Sequence, residues 1–278
     1  MDKINKEIEE LLEKAFQEDF GDSCDVTSEA IFKGEKGSFE LVSKDEGILC
    51  GLLCFTRVFQ KLDKTCSVGT FFIDGDVIKK GDIIAEISGN IALILKAERT
   101  ALNLLSHLSG IASKTALFVT VASGKLKILD TRKTIPGMRE LQKYAVRCGG
   151  GFNHRMGLYD MVMIKDNHTD SAGGITLAVG RIRKKWGKTY KIVVETRNLE
   201  EVKEALSCQV DRIMLDNMDI PTMKKAVKLI QGKAEIEASG NMNLERIAKV
   251  ASIGVDFISV GELTHSVKAF DFSLRGKR

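Results

Sequence analysis

The 278-residue sequence predicts an α/β fold, an incomplete (open) αβ barrel of TIM type preceded by a smaller N-terminal domain that mixes helix and strand. Two observations carry this. Six short apolar runs, LKILD, DMVMIK, KIVVE, DRIMLD, AEIEAS and DFISVG, are each followed by loop and helix signals, the pattern of successive βα units around a parallel sheet. Roughly 160 residues are available for them, short of the ~250 of a complete eight-unit barrel, so fewer than eight units are expected.

The elements follow in order. Ile4, Ile8, Leu11, Leu12 and Ala15 stand at helical spacing, so the chain opens on an amphipathic helix. SFELVSKD, EGILCGLL and DIIAEIS, separated by Gly-rich turns, read as strands of a small α+β domain. FIDGDVIKKGDIIAEISG is similar to a lipoyl-type carrier hairpin but has no lysine at a carrier-like tip, so it reads as a generic G-D turn. Ile91 to about Ala122 is helical, with Ser109 and Gly110 expected to break it into two successive helices. Glu98 and Arg99 sit within an apolar face there, as a helix ion pair or a solvated edge. Two domains are expected, 1–108 and 109–270.

Composition excludes several classes. With 44% hydrophobic and 29% charged residues the chain is an ordinary globular one, and 42 basic against 38 acidic residues leave only +4, too little to predict a nucleic-acid partner. No apolar run approaches the ~18–20 residues of a membrane span, and the charged N-terminus lacks a signal-peptide core, so a cytoplasmic protein without a membrane partner is expected. Cys24, Cys50, Cys54, Cys66, Cys148 and Cys208 form no C-x-x-C pair and read as reduced, mostly buried thiols; Cys148 stands out because it adjoins Gly149–Gly151.

The chemistry collects at the strand ends. LKILD leads to Asp130, Thr131, Arg132 and Lys133, MVMIK ends in Lys165, KIVVE in Glu195, RIMLD in Asp216, EIEAS in Ser239 and Gly240, and FISVG in Gly261. Parallel barrel strands bring those ends to one face, where barrel enzymes place their sites. Arg132, Lys133, His154, Arg155 and Lys165 would make a pocket for a multiply anionic ligand. Ser239-Gly240-Asn241 and Val260-Gly261-Glu262 would offer free amides to a phosphate. Glu195 and Asp216 would hold ribose hydroxyls or a magnesium ion carried by a diphosphate, or simply balance the cations. His107 reads as structural and His168 as loop-ordering. Lys165 at a strand end also fits a Schiff-base lyase.

The segments AERTALNLLSHLSGIAS, DTRKTIPGMRELQKYAVRCGGGFNHRMGLYDMVMIKDNH, VVETRNLEE, IMLDNM, EASGN and GVDFISVGELTHS together resemble the quinolinate phosphoribosyltransferases. The resemblance implies an N-terminal α/β sandwich domain, joined by the tail 271–278, packed with the open barrel. It implies magnesium-dependent conversion of quinolinate and phosphoribosyl pyrophosphate to nicotinate mononucleotide, pyrophosphate and carbon dioxide. It implies a homodimer, or a higher oligomer, with Arg99 contributed across the interface. Arg132, His154, Arg155 and Lys165 fall on quinolinate-binding positions, with Lys133 and Thr131 beside them. Lys133, Lys165, Glu195 and Asp216 match the catalytic set, the last two also the metal positions; Ser239, Gly240 and Gly261 match the phosphate loops, to which Asn241 and Val260 belong by position. A related phosphoribosyltransferase for another acid is the nearest alternative. Val193, Asn241 and Glu262 depart from the family's common acid, glycine and alanine.

Overall fold

The computed structural model describes residues 2–277. The chain divides into two compact units: Met1–Ala116, Thr134–Gly150 and Leu263–Arg278 form the first, Leu117–Lys133 and Gly151–Glu262 the second. In the first, α1 (Asp2–Phe20) buries Ile8 and Leu12 one turn apart, part of the stripe that the spacing predicts. After α2 (Ser28–Ile31) come β1 (Lys36–Ser43), β2 (Gly47–Ile48), α3 (Leu52–Leu62), β3 (Ser67–Thr70), β4 (Val77–Ile78) and β5 (Ile83–Asn90). β1, β5 and β3 run side by side in an antiparallel sheet, and β2 pairs with β4. The start of α3 is capped from a distance: Asp74 Oδ1 accepts the amides of Gly51 and Leu52 at 2.9 and 3.0 Å, satisfying two otherwise orphaned donors.

α4 (Ile91–Ala122) is one continuous helix of 32 residues, which corrects the expected break at Ser109 and Gly110. Both residues are small for packing reasons. The Ser109 hydroxyl accepts the Cys50 amide and donates to the Cys50 carbonyl, each at 3.0 Å. A Cβ on Gly110 would collide with the Lys268 carbonyl oxygen and lie 2.9 Å from Val267 Cγ1. By length and composition α4 could cross a membrane, contrary to the sequence expectation. Its Ile94, Ala97, Ala101, Leu105, Leu108 and Ile111 are buried at helical spacing, as in the core helix of a globular unit.

The second unit holds β6 (Lys127–Leu129); α5 (Arg139–Cys148), which follows in the chain, belongs to the first unit, where the Glu7 carboxylate accepts the amides of Glu140 and Leu141 at 3.1 and 2.8 Å. The chain then runs β7 (Val162–Ile164), α6 (Asp166–Ala172), α7 (Ile175–Trp186), β8 (Ile192–Thr196), α8 (Leu199–Ser207), β9 (Arg212–Asp216), α9 (Ile220–Ile230), β10 (Glu235–Ser239), α10 (Leu244–Val250) and β11 (Phe257–Ser259). All six apolar runs become strands, ordered β6-β11-β10-β9-β8-β7 and parallel throughout. The last strand thus pairs with the first, as barrel closure requires, while β6 and β7 stand at the two edges and leave the barrel open. Phe152 makes a parallel bridge to Leu129 on the free side of β6.

The chain returns to the first unit through α11 (Glu262–His265) and β12 (Phe272–Gly276), which joins the antiparallel sheet beside β1. All six cysteines are free; Cys50, Cys54 and Cys66 are buried and the other three partly exposed, so half rather than most are interior.

Candidate active site

Parallel register brings the barrel's polar residues into layers. Asp216 lies opposite Ser239 at the strand ends; one step down, Glu195, Met214, Glu237 and Phe257 form a row; below that stand Val193, Arg212 and Glu235. Register neighbours in a sheet share a face, and residues two apart share it again, so all three rows point the same way.

The cationic part is built on a buried acid. Asp130, 0% exposed, accepts the His154 amide on Oδ1 at 2.8 Å and the Asn153 side-chain amide on Oδ2, which ties the turn after the glycines to the end of β6. That places Arg155 near Arg132. Burial holds the Arg155 guanidinium below its usual pKa, the neighbouring Arg132 pushes the same way, and Asp160 opposes them. Arg155 Nη1 donates to the Met161 carbonyl at 3.2 Å. Arg132 Nε is buried and, among the described residues, has no hydrogen-bond acceptor. Two adjacent guanidiniums with an unmet donor suit a bidentate anion. Thr131 Oγ1 accepts the Lys133 amide at 3.0 Å and so orders the turn, leaving the Lys133 side chain exposed.

A second group mixes signs. Lys165 Nζ lies 3.2 Å from Glu195 Oε2, and the Lys165 amide donates to His168 Nδ1 at 3.0 Å, the loop-ordering role expected of His168. Burial raises the Glu195 pKa, with Lys165 opposing and Asp216 reinforcing that rise. Among the described residues no group of three or more histidines, cysteines, aspartates or glutamates is placed to hold a metal ion by itself. Glu195 and Asp216 are close enough to interact, and two carboxylates are what magnesium commonly takes from protein when substrate phosphates and water fill its other positions.

The third group is a tight turn over β9 and β10. Gly240 has φ +91°, and a Cβ there would collide with the Asn217 side chain and lie 2.9 Å from the Asn217 nitrogen. Asn217, at φ +52°, donates its amide to the Ser239 carbonyl at 3.0 Å, and Asn241 Nδ2 lies 3.5 Å from Asn217 Oδ1. Val260 needs correction: its amide is committed to the Leu129 carbonyl at 2.9 Å, so it offers no free donor to a phosphate. The pairing of β11 with β6 causes this.

Glu237 was not among the expected residues. Its carboxylate is 0% exposed, accepts Arg212 Nη1 at 2.9 Å, and lies 3.4 Å from His154 Nε2 and beside the Ser259 hydroxyl. Burial pushes its pKa up, but His154, Arg212 and Ser259 outweigh this and hold it below the ordinary value. His154 Nδ1 accepts the Arg155 amide at 2.7 Å, so the ring's proton belongs on Nε2. The signal was present as two acids alternating inside an apolar run, EIEAS, where attention to strand ends alone passes over them. Asn217 escaped notice for the opposite reason, since only the fold shows what fills the space above Gly240. Arg99 lies exposed on α4 in the first unit, while the other expected residues all belong to the second.

Comparison with known proteins identifies the family. The domain families described as "Quinolinate phosphoribosyl transferase, N-terminal domain" and "C-terminal domain" match residues 25–109 and 111–275. The probable nicotinate-nucleotide pyrophosphorylase [carboxylating] of Bacillus subtilis is 42% identical over 269 residues, covering 96% of this chain and 93% of its own. The chloroplastic enzyme of that name from Arabidopsis thaliana is 44% identical over 289 residues, covering 97% and 82%. The solved nicotinate-nucleotide pyrophosphorylase from Francisella tularensis superposes with a TM-score of 0.94 at 40% identity, covering 98% of this chain and 97% of its own. The fold, the strand-end residues and these likenesses together mean that the chain belongs to the quinolinate phosphoribosyltransferase family.

Proposed function

We propose that the chain transfers phosphoribosyl from phosphoribosyl pyrophosphate to quinolinate with decarboxylation, giving nicotinate mononucleotide, pyrophosphate and carbon dioxide for NAD biosynthesis. The observation that carries the reading is the Arg132–Arg155 pair, two adjacent guanidiniums with a buried donor still to be met. A dicarboxylate meets that need in a way a neutral base does not.

Arg132 and Arg155, with Lys133 and Lys165 around them, hold the two carboxylates and turn the ring nitrogen toward the anomeric carbon of the sugar. His154, expected from the sequence as a direct ligand, has its ring nitrogens turned to the Arg155 amide and Glu237 and supports the site from behind. Glu195 and Asp216 face the ribose, where their charge stabilises an oxocarbenium-like transition state as the bond to pyrophosphate breaks. Ser239, Gly240 and Asn241 receive the 5′-phosphate. Glu195 and Asp216 would also hold magnesium, which when bound neutralises charge on the departing pyrophosphate. Once the nitrogen is ribosylated, its positive charge stabilises the electron pair that stays on the neighbouring ring carbon when the C–C bond breaks and carbon dioxide departs, and that carbon then uses the pair to take up a proton. The protein needs no covalent nucleophile. A homodimer in which the partner subunit supplies Arg99 completes the proposal.

Lys165 is paired with Glu195 rather than set in an apolar pocket, which disfavours a Schiff-base role. The test is the purified protein with quinolinate, phosphoribosyl pyrophosphate and magnesium, assayed for nicotinate mononucleotide and carbon dioxide against nicotinate as control substrate. Absence of product with quinolinate refutes the assignment.

A further inference from the structure

Glu237 lies deep in the barrel, one layer below the strand ends, on the same face as Glu195 and two residues before Ser239. Its environment joins four elements: Arg212 from β9, Ser259 from β11, His154 from the turn after the glycines, and its own strand β10. The His154 imidazole it faces is itself buried, with a side chain only 4% exposed. Because Nδ1 of that ring accepts the Arg155 amide at 2.7 Å, Nε2 is the nitrogen that carries the proton, and Nε2 is the atom 3.4 Å from Glu237 Oε2. The carboxylate and the Arg155 amide therefore act on the ring from opposite sides, and each favours the same tautomer.

We propose that Glu237 is a positioning residue for the dicarboxylate site: it keeps the His154 proton on Nε2, so that Nδ1 stays an acceptor and pins the main chain at Arg155. Without the carboxylate, the ring is free to place its proton on Nδ1, where it would oppose the Arg155 amide and displace the turn that presents the guanidinium. Glu235, two residues earlier on the same strand, shares Arg212 through bonds of 3.0 and 3.1 Å but lies one layer farther from the site. It provides the control, since Glu235→Gln removes the same charge from the same arginine.

The ligand-binding half of this inference rests on the quinolinate reading; the tautomer half does not. The experiment combines nitrogen NMR of histidine-labelled, ligand-free protein with steady-state kinetics. The wild-type His154 signals should report a protonated Nε2 and an unprotonated Nδ1. Glu237→Gln should change those signals and raise KM for quinolinate about tenfold, as expected for loss of a charge-assisted contact, while kcat and KM for phosphoribosyl pyrophosphate move less than about threefold. Glu235→Gln should leave both readouts near wild type. Should Glu237→Gln fail to fold, Glu237→Asp, which keeps the charge and withdraws it by one methylene, should give a smaller change in the same direction. A wild-type ring protonated on Nδ1 overturns the inference, and so does a Glu237 variant with unchanged signals and unchanged quinolinate KM. If wild type fails to turn over quinolinate, the proposed function falls while the nitrogen signals still decide the role of Glu237.

Discussion

Replacing Lys165 with alanine should separate binding from stability, because the two effects differ in size. Lys165 Nζ lies 3.2 Å from Glu195 Oε2, but the lysine side chain is 49% exposed, so solvent screens the pair and its loss should cost at most about 1 kcal/mol of folding stability. A charge-assisted hydrogen bond from the same ammonium to a substrate carboxylate is worth roughly 1.5–3 kcal/mol, which is about 10- to 150-fold in kcat/KM. Function should therefore fall much further than the melting temperature. Glu195 adds a second signature. Burial already raises its pKa and Lys165 is the strongest opposing influence, so removing the lysine lets that pKa climb further. If ionised Glu195 is required, the acid limb of the kcat/KM profile moves to higher pH. Lys165→Arg should restore part of the activity, since it keeps the charge but not the compact ammonium. The assay is nicotinate mononucleotide formation across pH, with a thermal melt on the same samples. Normal turnover of quinolinate by Lys165→Ala, or loss of activity with a collapsed melt, would refute the reasoning.

Three further outcomes are expected. Gly110→Ala should destabilise the protein by about 1–3 kcal/mol in denaturant titration, because overpacking against the Lys268 carbonyl exceeds the ~1 kcal/mol gain in helix propensity; a more stable variant would contradict the packing described for α4. Gln142 Oε1 accepts the Ile135 amide at 3.0 Å, so Gln142 Nε2 donates to His107 Nε2 at 2.7 Å and the ring is held neutral, with burial lowering its pKa. As pH falls from ~6.5 toward the lower folded value, the unfolded chain gains a proton that the folded chain does not, so stability is lost; His107→Gln should flatten that part of the melting-temperature profile, and an unchanged slope would sink the assignment. Gly240→Ala, forced to φ +91° against Asn217, should raise KM for phosphoribosyl pyrophosphate more than KM for quinolinate, as two-substrate kinetics would show.

The barrel was the most legible part of the chain, since the parallel strands, β10 apart, are mostly apolar and lead into polar or glycine residues that start a loop. The failures share one cause: local pattern does not say what approaches from elsewhere. Ser109 and Gly110 look like a helix break, and become packing residues only once Cys50 and Lys268 are beside them. Val260 looks like a free amide until β11 is seen to pair with β6. Glu237 looks like an interruption of a strand until His154 and Arg212 reach it across many residues of chain. The capping of α5 by Glu7, 133 and 134 residues away, is invisible to any local rule.

The pairing of β11 with β6 and of β12 with β1 has a kinetic consequence. During synthesis β6 emerges about 130 residues before β11, the strand that joins it to the rest of the barrel, and β1 waits still longer for β12. Neither sheet can be finished until its late strand, β11 or β12, has left the ribosome, and contacts of such long sequence separation form slowly. Each unit therefore spends most of its synthesis with an unpaired strand edge, open to pairing with another nascent chain.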